Sequence, residues 1–507
     1  MTLGGLGLVA TLAVPAVGAA VLAVLPGRFD RAARITGTAF AAVTLVLAAL
    51  LAIGATDTWT AYQPQSAGAP GIHPWHELDL SWAPGLDLRF QLGVDGVSYP
   101  LVVLTALLTL LCCAYTWWRV PAPGRGRSLV ALLLVVEVGI LGTFLALDLV
   151  LFFLFFEVVL LPMYAIIAVW GGEDRQHAAR KFALYTLFGS VLLLVGVFTV
   201  VTAAGTADLT ELTGGTGLSR GTQIAAFVLL AIAFAVKSPL WPLHSWLPDA
   251  HTQAPTVGSV ILAGVLLKMG TYGLIRVAVG VAPEGARAAA GVLGVLAVAA
   301  IIVGSLVCLA QSELKRLIAY SSVGHMGFVL LGIATLSATG IQAALIGNIA
   351  HGVITGLLFF LAGAVKDRAH TGALAELGGL RESTPRLAGL LGFAAIASLG
   401  LPGLAGFWGE AFAVVAAWRV GGPLWTTLAV LAALGGALTA AYLLRLLRRV
   451  THGPASPAVL TLTPGLSGAE VLAWGPLVLL ALAIGLAPTL VLGYAEVPVG
   501  ALLEAIR

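Results

Sequence analysis

Apolar runs of bilayer-spanning length, separated by short polar connections, recur along almost the whole chain. An α-helix needs about 20 mostly apolar residues to cross a membrane. Runs of that kind fall at residues 3–25, 35–54, 98–118, 129–147, 149–170, 182–203, 222–240, 256–280, 288–311, 316–336, 341–364, 388–417, 424–444 and 471–494. The pattern predicts an all-α polytopic membrane protein of about 14 transmembrane helices. The first run lacks a basic leading segment and a small-residue cleavage site, so it reads as a span rather than a signal peptide. One connection is long. Residues 55–97 carry Asp57, Glu77, Asp79, Asp87 and Asp95, and the alternation Leu-Asp-Leu-Arg-Phe-Gln-Leu at 86–92 predicts a short strand or hairpin.

Composition supports the same class. Of 507 residues 59% are hydrophobic and 10% charged, against about 25% charged in soluble proteins. The 62 Gly and 24 Pro show no period, and the three cysteines lie inside apolar runs, which excludes collagenous and disulfide-stapled folds. The net charge of +3 matters less than its placement. Counting alternate connections puts 18 basic residues on one side of the membrane and 6 on the other, with two lysines left inside spans. The positive-inside rule then faces both termini outward.

The charges that the connections do not absorb are Glu137, Glu157, Lys237, Lys268 and Glu410. Inside a span each costs about 2.5–3.5 kcal/mol on insertion scales, and such residues mark ion or proton paths. Glu157 lies between aromatic and aliphatic residues, and a lysine is the partner type available to it. Lys237 is followed by Pro239, Pro242 and Pro248, which predict a broken helix. Broken backbone at membrane depth must line a cavity or be buried in protein. The stretch Gly-Leu-Pro-Gly-Leu-Ala-Gly-Phe-Trp-Gly-Glu at 400–410 repeats the combination of a break and one charge, five spans later. An odd offset implies two halves of opposite orientation. The predicted organisation is two helices plus the external loop (1–97), a third helix and inner loop (98–128), a five-helix repeat (129–281), its inverted partner (282–450), and a C-terminal loop with the last helix (451–507). His244, His251, His325 and His351 extend the polar line, since imidazole titrates near neutral pH and can relay protons.

No Walker, dinucleotide, CxxC or HExxH pattern occurs, and no cluster has metal-ligand spacing. No cofactor, metal or nucleic acid is therefore expected on this chain. The nucleophile-elbow pattern Gly217-Leu-Ser219-Arg-Gly221 falls in an outer loop without a preceding strand and reads as chance.

Four segments are familiar: Phe-Phe-Glu-Val-Val-Leu-Leu-Pro-Met-Tyr, Ala-Val-Lys-Ser-Pro-Leu-Trp-Pro-Leu-His-Ser-Trp-Leu-Pro-Asp-Ala-His, Leu-Lys-Arg-Leu-Ile-Ala-Tyr-Ser-Ser-Val-Gly-His-Met-Gly and Gly-Phe-Trp-Gly-Glu. The chain resembles, over about residues 90–450, the antiporter-like membrane subunits of proton-pumping NADH:quinone oxidoreductase (respiratory complex I), and among them the bacterial M type. The resemblance implies a Glu157–Lys237 pair, Lys268 as central relay and Glu410 as exit-side group, with His244, His251, His325 and His351 as further relay candidates. It also implies a non-redox subunit of a bacterial plasma-membrane enzyme complex, packed among paralogous subunits and coupled to quinone reduction elsewhere. Multisubunit Na⁺/H⁺ antiporters and hydrogenase-type complexes share most of these motifs and form the alternative.

Overall fold

The computed structural model describes residues 2–55, 70–83, 88–460 and 465–507. Among these, twelve helices are long and apolar enough to cross a membrane, and two shorter apolar helices lie at Tyr99–Tyr115 and Pro385–Ser398. The expected third and twelfth spans fall on those shorter helices. Helix dominates because an apolar backbone segment in lipid must satisfy its N–H and C=O groups internally.

Burial ranks the helices. Thr256–Val279 is wholly enclosed, and Leu314–Ala334 and Ala338–Ala369 nearly so, whereas Leu3–Val24, Gly27–Leu50 and Arg175–Ala204 expose most of their surface. The enclosed three form the centre on which the polar residues converge. Gly352 permits the central contact, since a Cβ there would meet the Gly264 carbonyl oxygen at 2.6 Å. Small residues let membrane helices approach this closely.

The expected breaks are present. The helix Arg220–Lys237 ends at its lysine, and Trp246–Gln253 resumes the direction after 238–245. Pro239 and Pro242 lie in the break, but Pro248 does not break anything. It occupies the first turn of Trp246–Gln253, where proline's missing N–H costs no hydrogen bond. The second break, 399–405, separates Pro385–Ser398 from Gly406–Val420, with Gly400 and Gly403 at φ +79° and +89°. A third interruption is a single residue, Val159, between Leu149–Val158 and Leu160–Trp170. It precedes Pro162, whose ring would clash with the carbonyl four residues back. The apolar run at 471–494 is also divided, because Pro488 separates Gly468–Leu486 from a terminal helix, Thr489–Ala505.

The hairpin expected near 86–92 exists as antiparallel strands His76–Ala83 and Leu88–Val94, in register His76 to Val94. Residues 56–69 and 84–87 of the same connection lie outside the described residues. Leu92 bridges Ala146, so the hairpin rests on the connection that precedes the Glu157 helix, and Asp148 of that connection in turn bridges Asp208. Gly217-Leu-Ser219-Arg-Gly221 has a structural job: Ser219 caps Arg220–Lys237 by accepting from the Thr222 N–H.

Candidate functional site

Lys268 sits at the middle of the most enclosed helix, in an α-helical turn, Leu267–Gly273, held between two π-helical segments, Leu262–Leu266 and Leu274–Val279. π-Helical turns misalign the backbone ladder and occur often at functional sites. Here the ladder yields an acceptor. Lys268 Nζ donates to the Ala263 carbonyl at 2.6 Å and meets His351 Nδ1 at 2.6 Å. Neither residue is more than 5% exposed.

From His351 the polar line continues. The His351 and His325 rings stand 5.9 Å apart, edge to face. His325 Nδ1 lies 2.7 Å from Glu410 Oε1, and His325 Nε2 lies 2.9 Å from Ser398 Oγ. His325 thereby touches both halves of the second broken helix, one through Ser398 and the other through Glu410. These four side chains border one cavity of about 30 Å³, which Gly347, Gly409 and Phe328 also line. Lys268, His351, His325 and Glu410 come from four different helices, and the structure brings all four together.

The Glu157 side of the line is not joined in the same way. Lys237 is 2% exposed and its Nζ has no hydrogen-bond partner, but it lies 4.5 Å above the Phe156 ring. A desolvated cation–π contact of that kind is worth about 2 kcal/mol. Glu157 Oε1 is also buried without a partner, and no ion pair within 4.0 Å joins it to Lys237. The two are neighbours across the fold rather than a closed pair. The end of the Lys237 helix packs closely on the Lys268 helix, because a Cβ at Gly270 would meet Ser238 N and Phe234 O at 2.8 Å.

The remaining candidates divide. His251 is fully buried, stacked on Phe359 at 4.4 Å, with neither ring nitrogen partnered. Close by in the chain, the Ala254 carbonyl accepts from Lys315 Nζ at 3.0 Å. His244 packs edge-on against Tyr320 at 6.1 Å and its Nδ1 has no partner. Glu137 is fully buried with both oxygens unpartnered, and no hydrogen bond connects it to the other candidates.

Several polar contributors are not among the sequence candidates. Ser398 looks like any helical serine in sequence. Thr271 Oγ1 donates to Asn348 Oδ1 at 3.0 Å one turn from Lys268, and only the Asn348–His351 spacing hints at it. Arg276 and Lys315, expected in polar connections, are each under 5% exposed. Arg276 pairs with Asp95, from the external segment, and both are buried. Among the described residues no group of three or more His, Cys, Asp or Glu could hold a metal ion.

The family described as NADH:quinone oxidoreductase/Mrp antiporter, TM, matches residues 146–436. The chain is 40% identical over 494 residues to the NADH-quinone oxidoreductase subunit M of Rhodobacter capsulatus, a match covering 94% of this chain and 92% of that one. A chain of respiratory complex I from Thermus thermophilus superposes with a TM-score of 0.85 at 30% identity, covering 99% of this chain and all of that one. A chain of an Mrp complex from a Dietzia species shares the fold, with a TM-score of 0.81 at 24% identity over 99% of this chain and 52% of that chain.

Proposed function

The chain belongs to the NADH:quinone oxidoreductase/Mrp antiporter membrane family, and from that premise we propose that it is a proton-translocating membrane-arm subunit of an NADH:quinone oxidoreductase. It is a multi-pass bacterial membrane protein. On our reading it carries no redox group of its own, packs beside paralogous subunits and keeps both termini on the outer face. Quinone reduction elsewhere in the complex drives it.

The observation that carries the reading is the buried line Lys268–His351–His325–Glu410, in which every neighbour is a group that can bind and release a proton. Moving one charge against 100 mV costs about 2.3 kcal/mol. Such a line lets the charge pass in short hops between groups that the fold has already desolvated. Further support comes from how the two halves are built. Asp148 caps the helix bearing Glu157 and bridges Asp208, while Glu313 caps the helix bearing His325 and bridges Ala373. Equivalent caps and equivalent bridges are what an inverted repeat requires.

NADH-driven proton uptake by inverted vesicles containing the assembled complex tests the function. Lys268→Met and Glu410→Gln are expected to lower uptake by about 100-fold or more, the scale of a lost acid–base step. Normal uptake in both variants, with normal assembly, refutes the reading. Sodium-dependent proton movement without any redox substrate would favour the antiporter alternative instead.

A further inference from the structure

His325 poses a connectivity problem. A proton leaving Lys268 for His351 Nδ1 is released again from His351 Nε2, the nitrogen without a protein partner. Along the hydrogen-bonded line it goes on to Glu410 through the His325 ring. Both nitrogens of that ring are occupied, Nδ1 by Glu410 Oε1 at 2.7 Å and Nε2 by Ser398 Oγ at 2.9 Å. Ring centroids 5.9 Å apart and steeply tilted leave the two imidazoles in edge contact without a nitrogen–nitrogen hydrogen bond.

Ser398 solves the problem. Most hydroxyls in these helices turn back to a carbonyl of their own helix, as Thr105, Thr143 and Ser322 do toward residues four positions earlier. Ser398 is 3% exposed and bonds across to His325. It ends its helix at the 399–405 break, and it borders the same cavity as His351, His325 and Glu410. A space of about 30 Å³ holds one or two waters. A hydroxyl has one donor and two acceptor lone pairs, so Ser398 can accept from that water while donating to His325.

We propose that the Ser398 hydroxyl is the relay group between the cavity and His325. This rests on the proton-translocating reading above. The water receives the His351 Nε2 proton and passes one of its own to Ser398 Oγ, forming a new O–H bond. The original Ser398 O–H bond breaks as its proton goes to His325 Nε2. The His325 Nδ1 proton passes to the Glu410 carboxylate. One proton moves from His351 to Glu410 and no other charge changes. His325 is left as the Nε2–H tautomer, and the Nδ1–H tautomer is regenerated by proton exchange with water, because turning the ring moves no proton between its nitrogens.

The test compares Ser398→Ala, Ser398→Thr, Ser398→Cys and Lys268→Met in the assembled complex, by proton uptake per NADH oxidised in inverted vesicles. Co-purification of the neighbouring subunits checks assembly. Threonine keeps the hydroxyl and is expected to retain at least about half of the uptake. Alanine is expected to lose about 100-fold, the lower end of the scale of one positioned proton transfer, approaching Lys268→Met. Cysteine, a weak donor, falls between them and serves if alanine fails to assemble. Wild-type uptake in Ser398→Ala alongside a defective Lys268→Met overturns the proposal and leaves the translocation reading intact. Equal losses in the alanine and threonine variants overturn it too, because packing rather than the hydroxyl would then be responsible. Normal uptake in Lys268→Met overturns the translocation reading itself.

Discussion

One methyl group placed beside Glu410 tests whether the hydrogen-bonded geometry, and not merely the presence of ionisable residues, carries function. Gly409 is where Gly406–Val420 crosses Ala338–Ala369. A Cβ built there would lie 2.6 Å from Gly347 Cα, 3.1 Å from Gly347 N and 3.4 Å from the Ala343 carbonyl oxygen. Carbon atoms pack at about 3.5–4.0 Å, so Gly409→Ala must push the two helices apart by about 1 Å. Neither neighbour is a flexible side chain that could give way. Overpacking of this kind costs about 1–3 kcal/mol, partly offset by alanine's better helix propensity, about 1 kcal/mol. The net stability change is therefore small and the complex should assemble. Function should suffer more. Glu410 is the next residue, and a 1 Å shift takes its 2.7 Å contact with His325 beyond hydrogen-bond length. Misplacement by that amount can cost about 100-fold in a positioned reaction. The expected result is a loss of about tenfold or more in NADH-driven proton uptake, with unchanged subunit stoichiometry. Gly392→Ala is the control, since nothing lies within 4 Å of its Cβ position. Wild-type uptake in Gly409→Ala, or an equal loss in Gly392→Ala, would refute the reasoning.

Two further predictions concern buried charges away from this line. Arg276→Met leaves Asp95 buried without its cation, which costs about 3–5 kcal/mol. The thermal midpoint of the complex should fall, and Asp95→Asn added to Arg276→Met should recover most of the loss; an unchanged midpoint in the single variant would contradict this. Asp148 has its carboxyl pushed up to about 6, first by burial and further by the Asp208 carboxylate. A raised value means that the folded protein binds this proton more tightly than the unfolded chain, so its contribution is full below about pH 4 and is lost as pH rises through 6. Protection of the Leu149–Leu151 amides from hydrogen exchange, corrected for intrinsic rate, should therefore fall between about pH 4 and 6 and level off above that. Asp148→Asn keeps a capping oxygen for the Leu151 N–H and should remove that dependence, and an unchanged slope would count against it.

What could be read from sequence follows from what a bilayer forbids. A charge in an apolar run is conspicuous, so Glu157, Lys237, Lys268 and Glu410 stand out without any structure, as do the Pro- and Gly-rich breaks beside two of them. Partners are another matter. Lys268 meets His351 across 83 positions, and His325 meets Glu410 across 85; periodicity says which face a residue occupies but not which helix that face meets. Ser398 is invisible for a further reason, since a serine in a membrane helix ordinarily bonds its own backbone. The π-helical segments around Lys268 have no proline or unusual composition to announce them. Counting loop charges also hides exceptions. Arg276 and Asp95 fit the sidedness pattern as polar-end residues, yet they form a buried pair that ties the external segment to the end of the Lys268 helix.

The two ends of the proposed path differ in a way that bears on its direction. From Lys268 to Glu410 the groups are coupled by hydrogen bonds of 2.6–2.9 Å and one shared cavity. At Glu157 and Lys237 one carboxylate oxygen and the ammonium are buried and unpartnered, and Lys237 rests on an aromatic face beside a helix break. A proton wire connected at both ends would simply leak, so a pump must join one end while the other is open. Lys237 ends its helix, so a movement that joins it to Glu157 falls where the backbone ladder is already broken and few hydrogen bonds are lost. Closing that pair would draw the Lys237 ammonium off Phe156, change the field at Lys268 through the Gly270–Ser238 contact, and so act on the connected half without moving any of its members. A driver elsewhere in the complex then has to bias only this one contact, by an amount comparable to the roughly 2 kcal/mol cation–π interaction that it replaces.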